Sequence, residues 1–346
     1  MQPQVSPAAV VIVAFVFAGS LAMWVKLLPR LARREPLLNY DPRRPVPWNG
    51  LMLLAVVMVY LASMVVAARL AGLELGADSG PSTAAKTARA MLAMSFASLF
   101  TVGVALVILF GYLRATLADL GLPTRWVDVP GDVKLGLAGY FTMVAPVFAV
   151  QFLVTQLLEY EHPLIEMLIA EATPQFWIAA IFSAVVVAPV VEEFLFRLLL
   201  QGWLERVMAL PRLSTTSETA EENSLGTSPQ AEGPESMPAA DVAEEGSAWQ
   251  HASDTQRLSP YASPLAEDLL AAGKARSANH ISWLPILLSS FPFAAMHFGQ
   301  GPAPIPLFVL ALGLGYIYQR THRILPCMAL HGLFNGYSLL VLGLSL

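Results

Sequence analysis

The sequence predicts an all-α protein, a multi-pass transmembrane helical bundle of about eight spans. Three observations carry this. The 346 residues are 56% hydrophobic and only 13% charged, about half the charged share of a soluble domain. Apolar runs recur along the chain, most of them near the ~20 residues that cross a bilayer. Basic residues gather in alternate loops between those runs, as they do where cytoplasmic loops retain positive charge.

The spans follow in order. The first, 8–28, makes a poor signal peptide, because it lacks a basic leader and its apolar run exceeds a signal core; it reads as a retained helix. The next four are 48–70, 91–113, 135–158 and 176–200, followed by 283–298 and 303–318, which are short, and then 325–344. Arg30, Arg33, Arg34, Arg43 and Arg44 lie between the first and second spans, Arg114, Arg125 and Lys134 between the third and fourth, and Arg320 and Arg323 between the last two. Glu159, Glu161, Glu166 and Glu171 occupy the loop after the fourth span, and 299–302 is uncharged. This alternation predicts both termini outside a cell membrane, with the basic loops in the cytoplasm. Lys86 and Arg89, between spans two and three, fit it least well. Trp24, Trp48, Trp177 and Trp283 fall near span ends and read as interface anchors.

Two regions follow from this layout. Residues 1–134 hold the N-terminal transmembrane helices and loops, and residues 135–346 form a second region interrupted at 211–281. The interruption is rich in Ser, Thr, Glu, Ala and Pro, the composition of a disordered segment. Its span 214–280 holds eleven Asp/Glu and three Lys/Arg, which leaves 14 acids and 17 bases elsewhere. The apolar body is therefore mildly basic, and nothing in it suggests a nucleic-acid partner. By the loop pattern the acidic insertion is cytoplasmic, with a short amphipathic helix expected at 265–275. Cys327 is the only cysteine, which excludes an intramolecular disulfide and a Cys-rich metal site; it reads as a small buried hydrophobe.

Chemistry concentrates in the fifth span. Glu192 and Glu193, with Arg197 a turn later, follow sixteen uncharged residues, 176–191. Each ionisable side chain at mid-membrane costs about 2.5–3.5 kcal/mol on insertion scales, so such residues mark function. On a helix Glu193 and Arg197 share a face, four residues apart, while Glu192 points about 100° away. Glu193 and Arg197 can neutralise each other, leaving Glu192 free to act as a general base on water. Pro189 removes a helical hydrogen bond beside them. His297 can orient water, and His331 with Asn335, one turn apart, can direct two donors at a tetrahedral oxyanion. Gly332 and Gly336 form a small-xxx-small pair that admits a neighbouring helix. His162, His251, His280 and His322 lie in loops and read as solvated.

Three segments, Glu192-Glu193-Phe-Leu-Phe-Arg197, Phe293-Ala-Ala-Met-His297 and His331-Gly-Leu-Phe-Asn335, occur in the order of the EExxxR, FxxxH and HxxxN/D motifs of the CPBP family. The chain resembles that family, which comprises type 2 CAAX prenyl endopeptidases and abortive-infection proteins, over about 135–346. The resemblance implies an eight-helix intramembrane endopeptidase acting on membrane-associated proteins or peptides among membrane lipids. It implies Glu192 and His297 as activators of water, Glu193 and Arg197 as the supporting pair, and His331 and Asn335 as the oxyanion pair. The donors Glu192, His297 and His331 are chemically compatible with Zn2+, and equally with a metal-free, glutamate-activated water. No HExxH motif supports a zincin site. Two other classes compete: a non-proteolytic membrane scaffold or immunity protein that keeps the fold, and a transporter with a carboxylate proton relay.

Overall fold

A computed structural model of the chain describes residues 6–41, 45–72, 84–158, 173–208 and 282–345. The insertion at 211–281 with its expected helix at 265–275, the acidic loop residues Glu159 to Glu171, His162, His251, His280, Arg43 and Arg44 lie outside the described residues.

Eight helices run through the described residues, with no strand among them: α1 (Pro7–Ala32), α2 (Gly50–Leu70), α3 (Ala84–Val107, continued by a wide π turn at Ile108–Tyr112), α4 (Val129–Thr155), α5 (Pro174–Met208), α6 (Leu284–Ala295), α7 (Pro304–Thr321) and α8 (Leu325–Ser345). Six of these, all but α6 and α7, are long and apolar enough to cross a membrane. At 12 residues α6 spans about 18 Å. It ends before His297, so that residue sits in the turn beyond the helix rather than inside the expected 283–298 span.

Helix starts follow from local chemistry. Ser6 Oγ accepts from the Ala9 amide at 3.1 Å, with Pro7 at the first helical position. Asn49 Oδ1 accepts from Met52 at 3.0 Å, and Thr173 Oγ1 accepts from Phe176 at 3.3 Å ahead of Pro174. Each side chain satisfies an amide that has no partner within its helix, and proline gives up a donor the first turn does not use.

The helices assemble around two apolar clusters. One joins α5 to α2, α3 and α6 through Trp48, Leu109, Phe194, Leu198, Leu199 and Phe293. The other joins α4, α7 and α8 through Tyr140, Val144, Leu310, Leu314, Leu330 and Phe334. Outward faces stay apolar: Phe15 is 72% exposed and Leu51 74%. Continuous apolar exposure of this kind fits lipid rather than water, and the fold is that of an integral membrane helical bundle.

Small residues set the closest helix contacts. A Cβ on Gly136 of α4 would lie 2.7 Å from the Pro326 carbonyl oxygen of α8, so the two backbones meet where no larger side chain fits. Gly332 of α8 approaches the Val185 carbonyl of α5 in the same way, at 3.1 Å for a built Cβ, whereas Gly336 makes only ordinary contact with Val185. Of the expected small-residue pair, Gly332 sets the approach to α5.

Two expectations are corrected. Trp48 is not an interface anchor: it is 1% exposed in the α5 cluster, and its indole donates to the Leu199 carbonyl at 3.1 Å. His322 is not solvated. It is buried at the end of α7 in the left-handed conformation (φ 50°), where its Nε2 meets Glu205 at 3.2 Å and its Nδ1 the Asp41 carbonyl at 2.7 Å.

Candidate active site

Helix α5 is not uniform. Residues Phe182–Val187 and Phe194–Gln201 form wide π-helical turns on either side of the α-helical Ala188–Glu193. Such turns recur at functional sites and re-aim side chains. Pro189 has no amide hydrogen, so it leaves the Val185 carbonyl without an α-type partner and the Ala184 carbonyl without a π-type one. Asn335 supplies the replacement: its Nδ2 donates to the Ala184 oxygen at 2.7 Å. One amide hydrogen of Asn335 thus docks α8 on α5, and the second stays available.

Glu193 and Arg197 are both fully buried. Arg197 Nε donates to Glu193 Oε2 at 3.2 Å, and Glu193 Oε1 faces His331 Nδ1 at 2.9 Å. The carboxylate orients the ring with Nδ1–H towards itself, which turns Nε2 the other way. There it lies 3.9 Å from Glu192 Oε2, too long for a direct hydrogen bond. Among the described residues that Glu192 oxygen has no hydrogen-bond partner, and the Glu192 side chain retains 17% exposure against none for Glu193. The two adjacent glutamates are therefore in different states: one locked between two donors, the other with a buried, unpaired oxygen on a side chain that keeps partial exposure.

Phe293 is the hub of the apolar side. The Arg197 guanidinium stacks over its ring at 5.2 Å, and the rings of His297 and His331 pack against it at 5.5 and 5.7 Å. His297 donates through Nδ1 to the Phe293 carbonyl at 2.9 Å, which leaves its Nε2 unengaged by that bond. His297 also lies within electrostatic reach of Glu192. Glu192, Glu193, Arg197, His297 and His331 are thus gathered around one ring, with Asn335 a turn beyond His331 on α8. No three His, Cys, Asp or Glu side chains among the described residues converge as a metal-holding group. In the candidate set Glu192, His297 and His331 both rings are bonded through Nδ1, one to Glu193 and one to the Phe293 carbonyl, which leaves the two Nε2 atoms as the ring nitrogens that could hold a metal.

Other neighbours were not singled out from the sequence. Ser289 Oγ accepts from Arg197 Nη1 at 3.2 Å, and Gln201 meets Ser289 at 3.2 Å. Tyr60 of α2 bonds Ser98 and lies within electrostatic reach of Glu192, so the N-terminal helices also border the site. Gln201 had a readable signal, since Glu193, Arg197, Gln201 and Glu205 recur every four residues. Ser289 had only its position one turn before Phe293.

Fold and site together define an integral membrane protein with a buried acid–arginine–histidine cluster. A model of the type II CAAX prenyl endopeptidase Rce1-like family matches residues 262–337, the stretch carrying the FxxxH and HxxxN motifs. That match, over less than a quarter of the chain, agrees with the resemblance of its motifs to the CPBP, or CAAX protease, family, whose matching model is described as that of an endopeptidase. The EExxxR segment lies outside the matched residues. No curated protein and no solved structure matches the chain.

Proposed function

We propose that the protein hydrolyses peptide bonds of membrane-associated proteins or peptides, using a water activated by Glu192. The observation that carries this reading is the buried, unpaired Glu192 Oε2, 3.9 Å from His331 Nε2, on a side chain that keeps 17% exposure. A single water bridges such a gap off the direct line. Glu192 takes the proton as that water attacks the substrate carbonyl, and His297 Nε2 orients the water from the side of the Phe293 ring. The developing oxyanion is met by the Nε2–H of a doubly protonated His331, whose ring lies between the Glu193 and Glu192 carboxylates, and by the second amide hydrogen of Asn335. Glu193 and Arg197 contribute by holding the His331 ring, not by touching substrate. The proton then passes from Glu192 to the leaving amine, which balances the reaction without a further reactant.

The test is a comparison of membrane proteomes from cells making the wild-type protein or Glu192→Gln. One or more intact membrane-associated proteins accumulate in the variant, and their cleavage fragments disappear. Identical proteomes, with both proteins folded and equally abundant, would remove the proposal.

A further inference from the structure

The hydrogen bonds that fix Arg197 do not stop at Glu193. Arg197 Nη1 donates to Ser289 Oγ at 3.2 Å. Ser289 in turn has the Gln201 side-chain oxygen at 3.2 Å and the Ile286 carbonyl at 3.1 Å as acceptors. Gln201 Nε2 donates to the Gly315 carbonyl of α7 at 2.9 Å and to Glu205 at 3.1 Å. Ser289, Gln201 and Arg197 are all fully buried. Two neutral side chains from α6 and α5, tied to the α7 backbone, therefore set where the guanidinium lies. The guanidinium sets the Glu193 carboxylate, and the carboxylate sets the His331 ring.

The spacing on α5 explains why this chain of contacts exists. A four-residue step on an α-helix advances about 40° beyond a full turn, so four polar residues at that spacing would spiral away from one another. The wide turn at Phe194–Gln201 holds more residues per turn and keeps Glu193, Arg197 and Gln201 on one side. A stripe of buried polar groups in an apolar helix is costly to keep unless every member is bonded, and here the bonds converge on the residue that orients His331.

We propose that Ser289 and Gln201 are positioning residues for the reaction: through Arg197 and Glu193 they hold the His331 ring so that Nε2 faces Glu192. This rests on the hydrolytic reading above for its activity arm only. Ser289→Cys keeps the volume but loses most hydrogen bonding, and Ser289→Thr keeps the hydroxyl while adding a methyl. Two readouts on detergent-purified full-length protein and on whole membranes test the idea. In 15N-histidine NMR, only the His331 signals of the six histidines move in Ser289→Cys and in Gln201→Met, and they return towards wild type in Ser289→Thr. In membranes, Ser289→Cys accumulates the same intact proteins as Glu192→Gln, to a lesser extent, consistent with a loss of about 10- to 100-fold from a displaced site. The Ser289→Cys/Gln201→Met double variant is no worse than the poorer single, because both act through Arg197.

An unmoved His331 signal in folded Ser289→Cys overturns the proposal, and so does a Thr variant that fails where Cys succeeds, the pattern of simple packing. If the His331 signal moves but Glu192→Gln leaves the proteome unchanged, the hydrolytic reading fails while the positioning relationship stands.

Discussion

Glu193 Oε1 and His331 Nδ1 meet at 2.9 Å across 138 positions of sequence, and the same carboxylate holds Arg197 through its other oxygen. This one buried anion therefore joins α5 to α8 and compensates a fully buried guanidinium. Removing one member of such a group leaves an unpaired buried charge, at a cost of about 3–5 kcal/mol, whereas replacing both by apolar groups is often near neutral. Glu193→Gln is thus expected to unfold in detergent at markedly lower denaturant or temperature than wild type. Glu193→Gln combined with Arg197→Met is expected to recover much of that loss without recovering hydrolysis. A combined variant less stable than Glu193→Gln alone would contradict this account of the pair.

Glu192 should behave in the opposite way. Its Oε2 has no hydrogen-bond partner among the described residues, so the neutral isostere Glu192→Gln gives up no bond at that oxygen and removes a charge from an apolar setting. The expected outcome is unchanged or increased thermal stability together with a loss of hydrolysis on the order of 10²–10⁴-fold, the contribution of a general base. Adjacent residues with opposite stability responses to the same Glu→Gln change would separate base from support. Melting curves of the two purified variants, side by side, provide the check.

Asn335 carries a structural duty that can be measured apart from any role at an oxyanion. Its Nδ2 serves the Ala184 carbonyl, which Pro189 leaves without a main-chain donor. Asn335→Leu exposes that buried carbonyl to no partner, at a cost of about 1–3 kcal/mol. Pro189→Ala restores an amide hydrogen two residues past the wide Phe182–Val187 segment, and in that background Asn335→Leu should be milder. Hydrolysis should stay low in the double variant if the second Asn335 hydrogen also meets the oxyanion. Equal destabilisation by Asn335→Leu in both backgrounds would show that Pro189 is not the reason for the bond.

The sequence made some of this legible and hid the rest for physical reasons. Glu193 and Arg197 are four residues apart on an apolar helix, so their pairing and the freedom of Glu192 follow from helical geometry alone. The pairing of Glu193 with His331 depends on how α8 docks, which no local pattern encodes. The same holds for Ser289, whose only marks in the sequence are its hydroxyl and its place before Phe293. Trp48 and His322 were misread because a residue at a helix end looks the same in sequence whether it faces lipid headgroups or folds inward. His322 turns inward through a left-handed cap and is held by Glu205 and the Asp41 carbonyl. The two short spans were readable as short; that α6 ends before His297 was not, although three main-chain turns from Met296 to Phe298 now define it.

The position of His331 also depends on α4, through a contact that no polar residue makes. Gly136 lies where a Cβ would sit 2.7 Å from both the Pro326 carbonyl oxygen and the Ala329 Cβ of α8. Backbone cannot move aside as a flexible side chain can, so Gly136→Ala must push α8 away from α4, with a cost of about 1–3 kcal/mol for overpacking. Because His331 sits on α8 one turn and a half past Pro326, its ring would shift relative to Glu192 and Glu193. Gly131→Ala, on the same helix with open space around the built Cβ, is the control. The expected result is lower stability and reduced hydrolysis for Gly136→Ala and wild-type behaviour for Gly131→Ala. Equal behaviour of the two variants would mean that α8 is positioned by its contacts with α5 alone.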